Sequence, residues 1–236
     1  DAILQDNTFD GAVTIRNPND EVREEGGKVQ KIYSAIGPAV GNAGTGDTVE
    51  AYNVGIYAEN ITIDEELTLT GATIGGSGSS AAAKAASCTA TTVLDASGGS
   101  IGIDVTASNV TITDFCVKDA QNHNLYTDAT ISDLTLTSVE ALNAGNYGLE
   151  VHNDAELSNL TVTDSRFADN SSGIRVRGNL NGAQISGTAF EDNGIGFHTT
   201  QGLDPTQPPS SSEITSAMGV TIESSTFTGN TSKSIY

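Results

Sequence analysis

Leu160-Thr161-Val162-Thr163-Asp164-Ser165-Arg166-Phe167-Ala168-Asp169-Asn170 is the stretch on which the fold turns. Its first five residues alternate apolar and polar, the period of a strand with one face buried. The same piece recurs as Val110-Thr111-Ile112-Thr113-Asp114, Leu134-Thr135-Leu136-Thr137-Ser138, Ala183-Gln184-Ile185-Ser186-Gly187 and Val220-Thr221-Ile222-Glu223-Ser224. Successive pieces begin 24, 26, 23 and 37 residues apart, and a period of roughly 20–50 residues marks a solenoid or array. The likeness extends past the strand. Phe167, Phe190 and Phe227 each lie seven residues after the start of their unit, and Asn170, Asn193 and Asn230 lie ten after it. In a parallel β-helix the rungs stack about 4.8 Å apart, so like residues lie over like. Apolar stacks inside and amide ladders at the turns are therefore expected, Asn being suited to tight turns. A sandwich of hairpins would show Asn-Gly loops and intervals of about 8–12 residues, too short for this repeat.

Working towards the N-terminus, Gly46-Asp47-Thr48-Val49-Glu50-Ala51-Tyr52, Tyr57-Ala58-Glu59-Asn60-Ile61-Thr62-Ile63 and Leu67-Thr68-Leu69-Thr70-Gly71 alternate in the same way. Val29, Ile32, Tyr33 and Ile36 fall at helical spacing, which predicts a short amphipathic helix over 28–36 ended by Gly37-Pro38. The organisation expected is an N-terminal arm over 1–26, a possible inter-subunit strand, then a capping helix and linker over 27–45 and a solenoid over 46–236. Gly/Ser/Ala-rich and Pro/Ser-rich insertions near 75–92 and 199–217 read as surface loops.

These stretches, from the helical segment through Leu67-Thr68-Leu69-Thr70-Gly71, resemble the pectate-lyase-like superfamily of right-handed parallel β-helix repeat proteins. The resemblance covers about residues 28–236 and implies an all-β, single-stranded solenoid whose first turn is capped by a helix. It implies little about function, because one fold hosts many. Lyases of the group hold calcium with aspartates and abstract a proton with a basic residue, and its glycosidases cluster aspartates in strings such as Asn-Thr-Asp, Asp-Asp, Gly-His-Gly and Arg-Ile-Lys. None of those four strings occurs in this chain.

Thirty Asp and Glu stand against ten Lys and Arg, a formal net charge of −20. Such a field repels nucleic acid and anionic membrane surfaces and favours solubility. No cofactor is expected, although divalent cations such as Ca2+ could be held loosely. No apolar run is long enough to span a membrane, so no membrane insertion is expected. Cys88 and Cys116 are the two cysteines. They form either a disulfide, which suits an oxidising compartment, or a pair of buried thiols. A chain that begins at Asp1 without a signal sequence fits a processed product, extracellular or at the cell surface, and fits a trimmed fragment equally well.

Candidate chemistry is sparse. Asp114 and Asp164 hold equivalent positions in units separated by one that carries Ser138, and two solvated turn carboxylates are the simpler reading. Arg175 and Arg177 alternate and so share a strand face; they either clamp a carboxylate or sulfate or pair with neighbouring acids. His123, His152 and His198 lack the spacing of a zinc site. Sequons at Asn60, Asn109, Asn159, Asn170 and Asn230 allow N-glycosylation, but Asn at strand entries and turns also serves the repeat itself. The chain would be polymer-forming if its open C-terminal rung met the arm or N-terminal face of another copy. The leading functional expectation is therefore a non-catalytic structural protein that self-assembles into a filament, sheath or layer. The alternatives are a polysaccharide lyase or hydrolase and a carbohydrate-binding or adhesive module.

Overall fold

The computed structural model describes residues 21–25, 28–51, 55–72, 88–90, 92–199 and 218–236. Most of the arm and of the two insertions lies outside them. The chain winds as a parallel β-solenoid, each turn adding one strand to each of three sheets. Sheet A contains strands 47–50, 67–70, 111–113, 135–137, 156–163, 179–186 and 218–223. Sheet B contains 55–57, 92–95, 115–118, 140–142, 166–168, 189–191 and 226–228. Sheet C contains 61–63, 101–105, 123–127, 147–151, 172–176, 195–199 and 233–235.

The repeat builds the core by stacking. Val49, Leu69, Ile112, Leu136, Val162 and Ile185 pair in register along sheet A and are fully buried. Each aliphatic side chain so buried stabilises by about 1.5–3 kcal/mol. In sheet B the rings of Phe167, Phe190 and Phe227 stack with centroids 5.6 and 4.7 Å apart, as the sequence spacing predicts. Gly173 is required beside that stack, because a Cβ there would sit 2.6 Å from the Gly196 carbonyl oxygen and 2.8 Å from the Phe190 ring.

Three corners turn the chain on single left-handed residues. Asp114, Ser138, Asp164, Gly187 and Ser224 lead from sheet A to B. Asp119, Asn143, Asp169, Asp192 and Gly229 lead from B to C. Asn109 and Asp133 lie just before strands 111–113 and 135–137 of sheet A, and their counterparts Asn159, Gly182 and Gly219 bend strands 156–163, 179–186 and 218–223 from within. Asp, Asn and Gly tolerate positive φ better than other residues do, so part of the chain's acidity follows from backbone geometry. Beside the second corner runs the expected amide ladder. Asn193 Oδ1 accepts from the Asn170 backbone N–H, and Asn230 Oδ1 from that of Asn193. The amide nitrogens of Asn170, Asn193 and Asn230 donate to the carbonyls of Ala141, Phe167 and Phe190.

The helix prediction needs correcting. Lys28–Tyr33 is a strand, antiparallel to Glu21–Glu25, which in turn pairs antiparallel with Asp47–Glu50. Val29, Ile32 and Tyr33 favour strands, and a six-residue window fits both periods. The helix is Ile36–Val40 and contains the Gly37-Pro38 pair expected to end it. Pro38 is tolerated because it lies in the first turn, where an amide hydrogen has no intrahelical acceptor. The Glu59 carboxylate accepts from the N–H groups of Ile36 and Gly37 and caps the helix from a distance. Ile36, Ala39 and Val40 bury against strands 47–50 and 61–63, closing this end of the core. Residues Glu21–Glu25 of the arm are thus engaged within their own chain.

Candidate functional site on the outer face of sheet C

Sheets A and B present simple outer faces. On sheet A, Thr68, Thr111, Thr135 and Thr161 stack in one column, and Thr70, Thr113, Thr137 and Thr163 in another. On sheet B, the disulfide Cys88–Cys116, with Cα atoms 5.9 Å apart, pins residues 88–90 over Val93, Leu142 and Ala168, a second small apolar cluster. Glu140 fastens the same segment by accepting from the N–H groups of Thr89 and Ala90 at 2.6 and 2.7 Å. Arg166 neutralises Glu140 and Glu191, at 3.6 and 2.7 Å.

Sheet C differs. Its strands read His-Asn-Leu-Tyr-Thr, Tyr-Gly-Leu-Glu-Val, Ser-Gly-Ile-Arg-Val and Ile-Gly-Phe-His-Thr from residues 123, 147, 172 and 195. The third position points inward and is always apolar. The fourth places Asp104, Tyr126, Glu150, Arg175 and His198 in one column across five turns. All three histidines gather on this face with Tyr126 and Tyr147. The His123 ring stacks on Tyr126 and Tyr147 at 5.4 and 5.2 Å, and the His152 ring meets Tyr126 at 5.9 Å.

Glu150 is the centre of the face. It is fully buried, with His123 Nε2 2.8 Å from Oε2 and Arg177 bonded at 2.5 Å to Oε1. Burial alone would push its carboxyl up, but His123 and Arg177 outweigh burial and hold it below the ordinary carboxylate range. Two turns back, Asp104 moves the other way, raised by burial and by the neighbouring Asp128 carboxylate. Burial together with the Asp128, Glu150 and Asp104 charges pushes the Tyr126 hydroxyl up to about 12. His198, bonded through Nδ1 to the buried Ser172 hydroxyl at 3.3 Å, is lowered by burial and by the Arg175 and Lys233 charges. Buried polar atoms without a hydrogen-bond partner among the described residues recur here: Asp104 Oδ1, His123 Nδ1 and Arg175 Nε. Native cores leave few such atoms.

The structure separates the arginine pair. Arg177 is committed to Glu150, whereas Arg175 donates from Nη1 to the Tyr147 hydroxyl at 2.6 Å and lies over that ring at 4.7 Å. Asp114 and Asp164 are corner residues with positive φ, separated by Ser138 in the same column. Among the sequon residues, Asn170 and Asn230 belong to the amide ladder. The Asn60 amide bonds the Ala96 and Ile101 carbonyls, and Asn109 and Asn159 are positive-φ residues whose amides bond Glu66 and Asp133. Sequence reasoning left the histidines isolated. The missed signal was the fourth position of the third strand, which is never the same residue twice while its neighbours repeat.

No family model, curated protein or solved structure matches this chain.

Proposed function

We propose that this chain is an extracellular member of the pectate-lyase-like β-helix superfamily that binds polysaccharide along the outer face of sheet C, as a carbohydrate-binding or adhesive module. The parallel solenoid and the Cys88–Cys116 disulfide support the affiliation and the oxidising compartment. The observation that carries the reading is the column Asp104, Tyr126, Glu150, Arg175, His198, flanked by His123, Tyr147 and His152. With Glu150 buried beneath as an anchor, the partly exposed Asp104, Tyr126, Arg175, His123, Tyr147 and His152 offer hydrogen-bonding groups to sugar hydroxyls and ring faces to sugar C–H groups, and successive rungs lie about one sugar length apart, near 4.8 Å. The test is retention of the full chain in native gels cast with soluble polysaccharides, with reducing-end release assayed in parallel. Retention without turnover supports a binding module. Turnover would make the same face an active site, and unretarded migration throughout the panel would refute the reading.

A self-assembling structural role has one observation in its favour. At the last described turn Val220, Ile222 and Phe227 are only half-buried, and Ile235 is 55% exposed. Either a further stretch of chain or a second copy stacked there would bury them, and only the second makes an assembly. Sedimentation velocity of the wild type and of Ile235→Glu tests this: concentration-dependent association that the substitution abolishes supports it, and a concentration-independent monomer rejects it.

A further inference from the structure

Cys88, Cys116 and Glu140 meet on the outer side of sheet B. Cys116 and Glu140 are in-register neighbours on adjacent strands, and the disulfide holds Cys88 over them. The two sulfurs and one Glu140 carboxylate oxygen all lie within 4.8 Å of one another. None of the three residues is more than 5% exposed. Glu140 Oε2 accepts from the Thr89 and Ala90 N–H groups, but Oε1 is buried and has no hydrogen-bond partner among the described residues. Its ion-pair contact, Arg166 Nη1 at 3.6 Å, belongs to a guanidinium shared with Glu191. An anchored, buried carboxylate thus keeps an oxygen without a hydrogen bond beside two sulfurs, where native cores leave few such atoms.

We propose that, once the disulfide is reduced, Cys88, Cys116 and Glu140 form a site for a thiophilic divalent cation, of which Zn2+ is the type. Disulfide and metal are then alternative staples for the same segment, and the redox state selects between them. Two electrons from a dithiol or a phosphine break the S–S bond, and each sulfur takes up a proton. The reductant goes to its own disulfide or to the phosphine oxide. The cation then displaces both protons to solvent and bonds both sulfurs. Thiolate ligands select zinc and other soft ions over calcium and magnesium. Zinc bonds of about 2.3 Å to sulfur and about 2.1 Å to oxygen put tetrahedral ligand atoms roughly 3.6–3.8 Å apart, and the cut disulfide lets the sulfurs separate to that distance. Three protein ligands leave the fourth position to water. Two thiolates and a carboxylate are more buried negative charge than one shared guanidinium offsets, and a divalent cation removes the excess. The Thr89 and Ala90 bonds hold the carboxylate in place before any metal arrives, which lowers the ordering cost. In an oxidising compartment the disulfide keeps the site closed.

The experiment titrates Zn2+ and Cd2+ into the full chain, reduced with a phosphine or left oxidised, with excess Ca2+ present to occupy surface carboxylates. Ultraviolet thiolate-to-cadmium charge transfer reports the sulfur ligands, and thermal melts report whether the folded chain holds the metal. We expect one Cd2+ per reduced chain with that absorption band, and no band from the oxidised chain or from reduced Cys116→Ser. Zn2+ at about a hundred times its Kd should raise the melting midpoint of the reduced chain by about 5–10 °C. Glu140→Gln keeps an oxygen for the Thr89 and Ala90 bonds and removes the charge. It should weaken Zn2+ binding about tenfold or more, and its oxidised form, held by the disulfide, controls for folding. Equal binding by reduced and oxidised chains would put the metal on surface carboxylates and overturn the site. A midpoint that zinc leaves unchanged or lowers would overturn it too, because the cysteines then bind only in the unfolded chain. If the reduced chain is unfolded at the assay temperature, refolding on addition of Zn2+, followed by circular dichroism, supports the site, and failure to refold rejects it. Zn2+ binding by Glu140→Gln as tight as that of the wild type would remove the carboxylate from the site and the proposal with it.

Discussion

The outer faces of sheets A and C are built on the same backbone and solve opposite problems. On sheet A the residues at equal positions are the same, Thr over Thr through four turns in two columns. On sheet C the equal positions carry Asp104, Tyr126, Glu150, Arg175 and His198 in succession. A solenoid gains from repetition, because a residue that suits one rung suits the next. Threonine fits a pleated, half-buried surface and pairs well across strands. A column that abandons repetition gives up that advantage, and sheet C also keeps a carboxylate fully buried at Glu150. Local rules are broken most often where function demands it. Uniform columns are what a scaffold calls for, and the varied column is where the proposed binding face lies.

The largest effects should come from parts of the scaffold that serve every turn. Reducing Cys88–Cys116 releases a loop spanning 28 residues, and its loss should cost about 3–4 kcal/mol. A denaturant melt with and without reductant measures this, and binding by the folded reduced protein should persist, since the disulfide lies on sheet B. Asn193→Ala comes next. It removes the acceptor of the Asn170 N–H and the donor to the Phe167 carbonyl, leaving buried groups unpaired at about 1–3 kcal/mol each. A midpoint fall of roughly 5–15 °C is expected for a domain of this size. A fall under about 2 °C would show that water replaces the ladder.

Sheet C should give smaller, pH-dependent effects of opposite sign at its two carboxylates. Glu150 is depressed in the fold. Its stabilisation is complete above the pKa of the unfolded chain and is lost as pH falls through the depressed folded value. Glu150→Gln should cost about 1–3 kcal/mol at neutral pH and remove that acid-side step from a stability–pH profile. An unchanged acid limb would mean that the His123 and Arg177 contacts contribute nothing. Asp104 is raised, so its ionised form opposes folding once pH rises from the unfolded pKa through the folded one. Asp104→Asn should therefore stabilise at neutral pH by about 0.5 kcal/mol and have no effect in acid, a pattern that thermal melts at two pH values resolve.

Much of the scaffold was legible in the sequence because a solenoid writes its contacts as a period. The Phe167–Phe190–Phe227 stack and the Asn170–Asn193–Asn230 ladder follow from offsets of seven and ten residues alone. The segment 28–36 was misread because it lies before the repeat begins, where a six-residue strand carried a helical stripe by coincidence and Pro38 sat where a helix tolerates it. The site was legible only in part. Arg175 and Arg177 were visible as a pair, but alternation cannot show that one is bound to Glu150 and the other to a tyrosine. His123, His152 and His198 lie 29 and 46 residues apart, and only alignment of the third strand of each turn brings them onto one face.

The smallest effect expected is the one that tests the comparison most directly. Thr137 lies in the middle of the sheet A columns, paired with Thr113 and Thr163 and pointing away from the core. Thr137→Val keeps the branched shape that suits the strand and exchanges only the hydroxyl for a methyl group. If the threonine columns are scaffold, its stability should stay within about 0.5 kcal/mol of wild type, and polysaccharide retention should not change. Tyr126→Ala, an equally local change on sheet C, should weaken retention while leaving a folded protein. Should Thr137→Val weaken retention and Tyr126→Ala leave it intact, the assignment would invert: the regular array of hydroxyls on sheet A would be the binding surface, and the varied column on sheet C would be an ion-pair network that ties successive turns together.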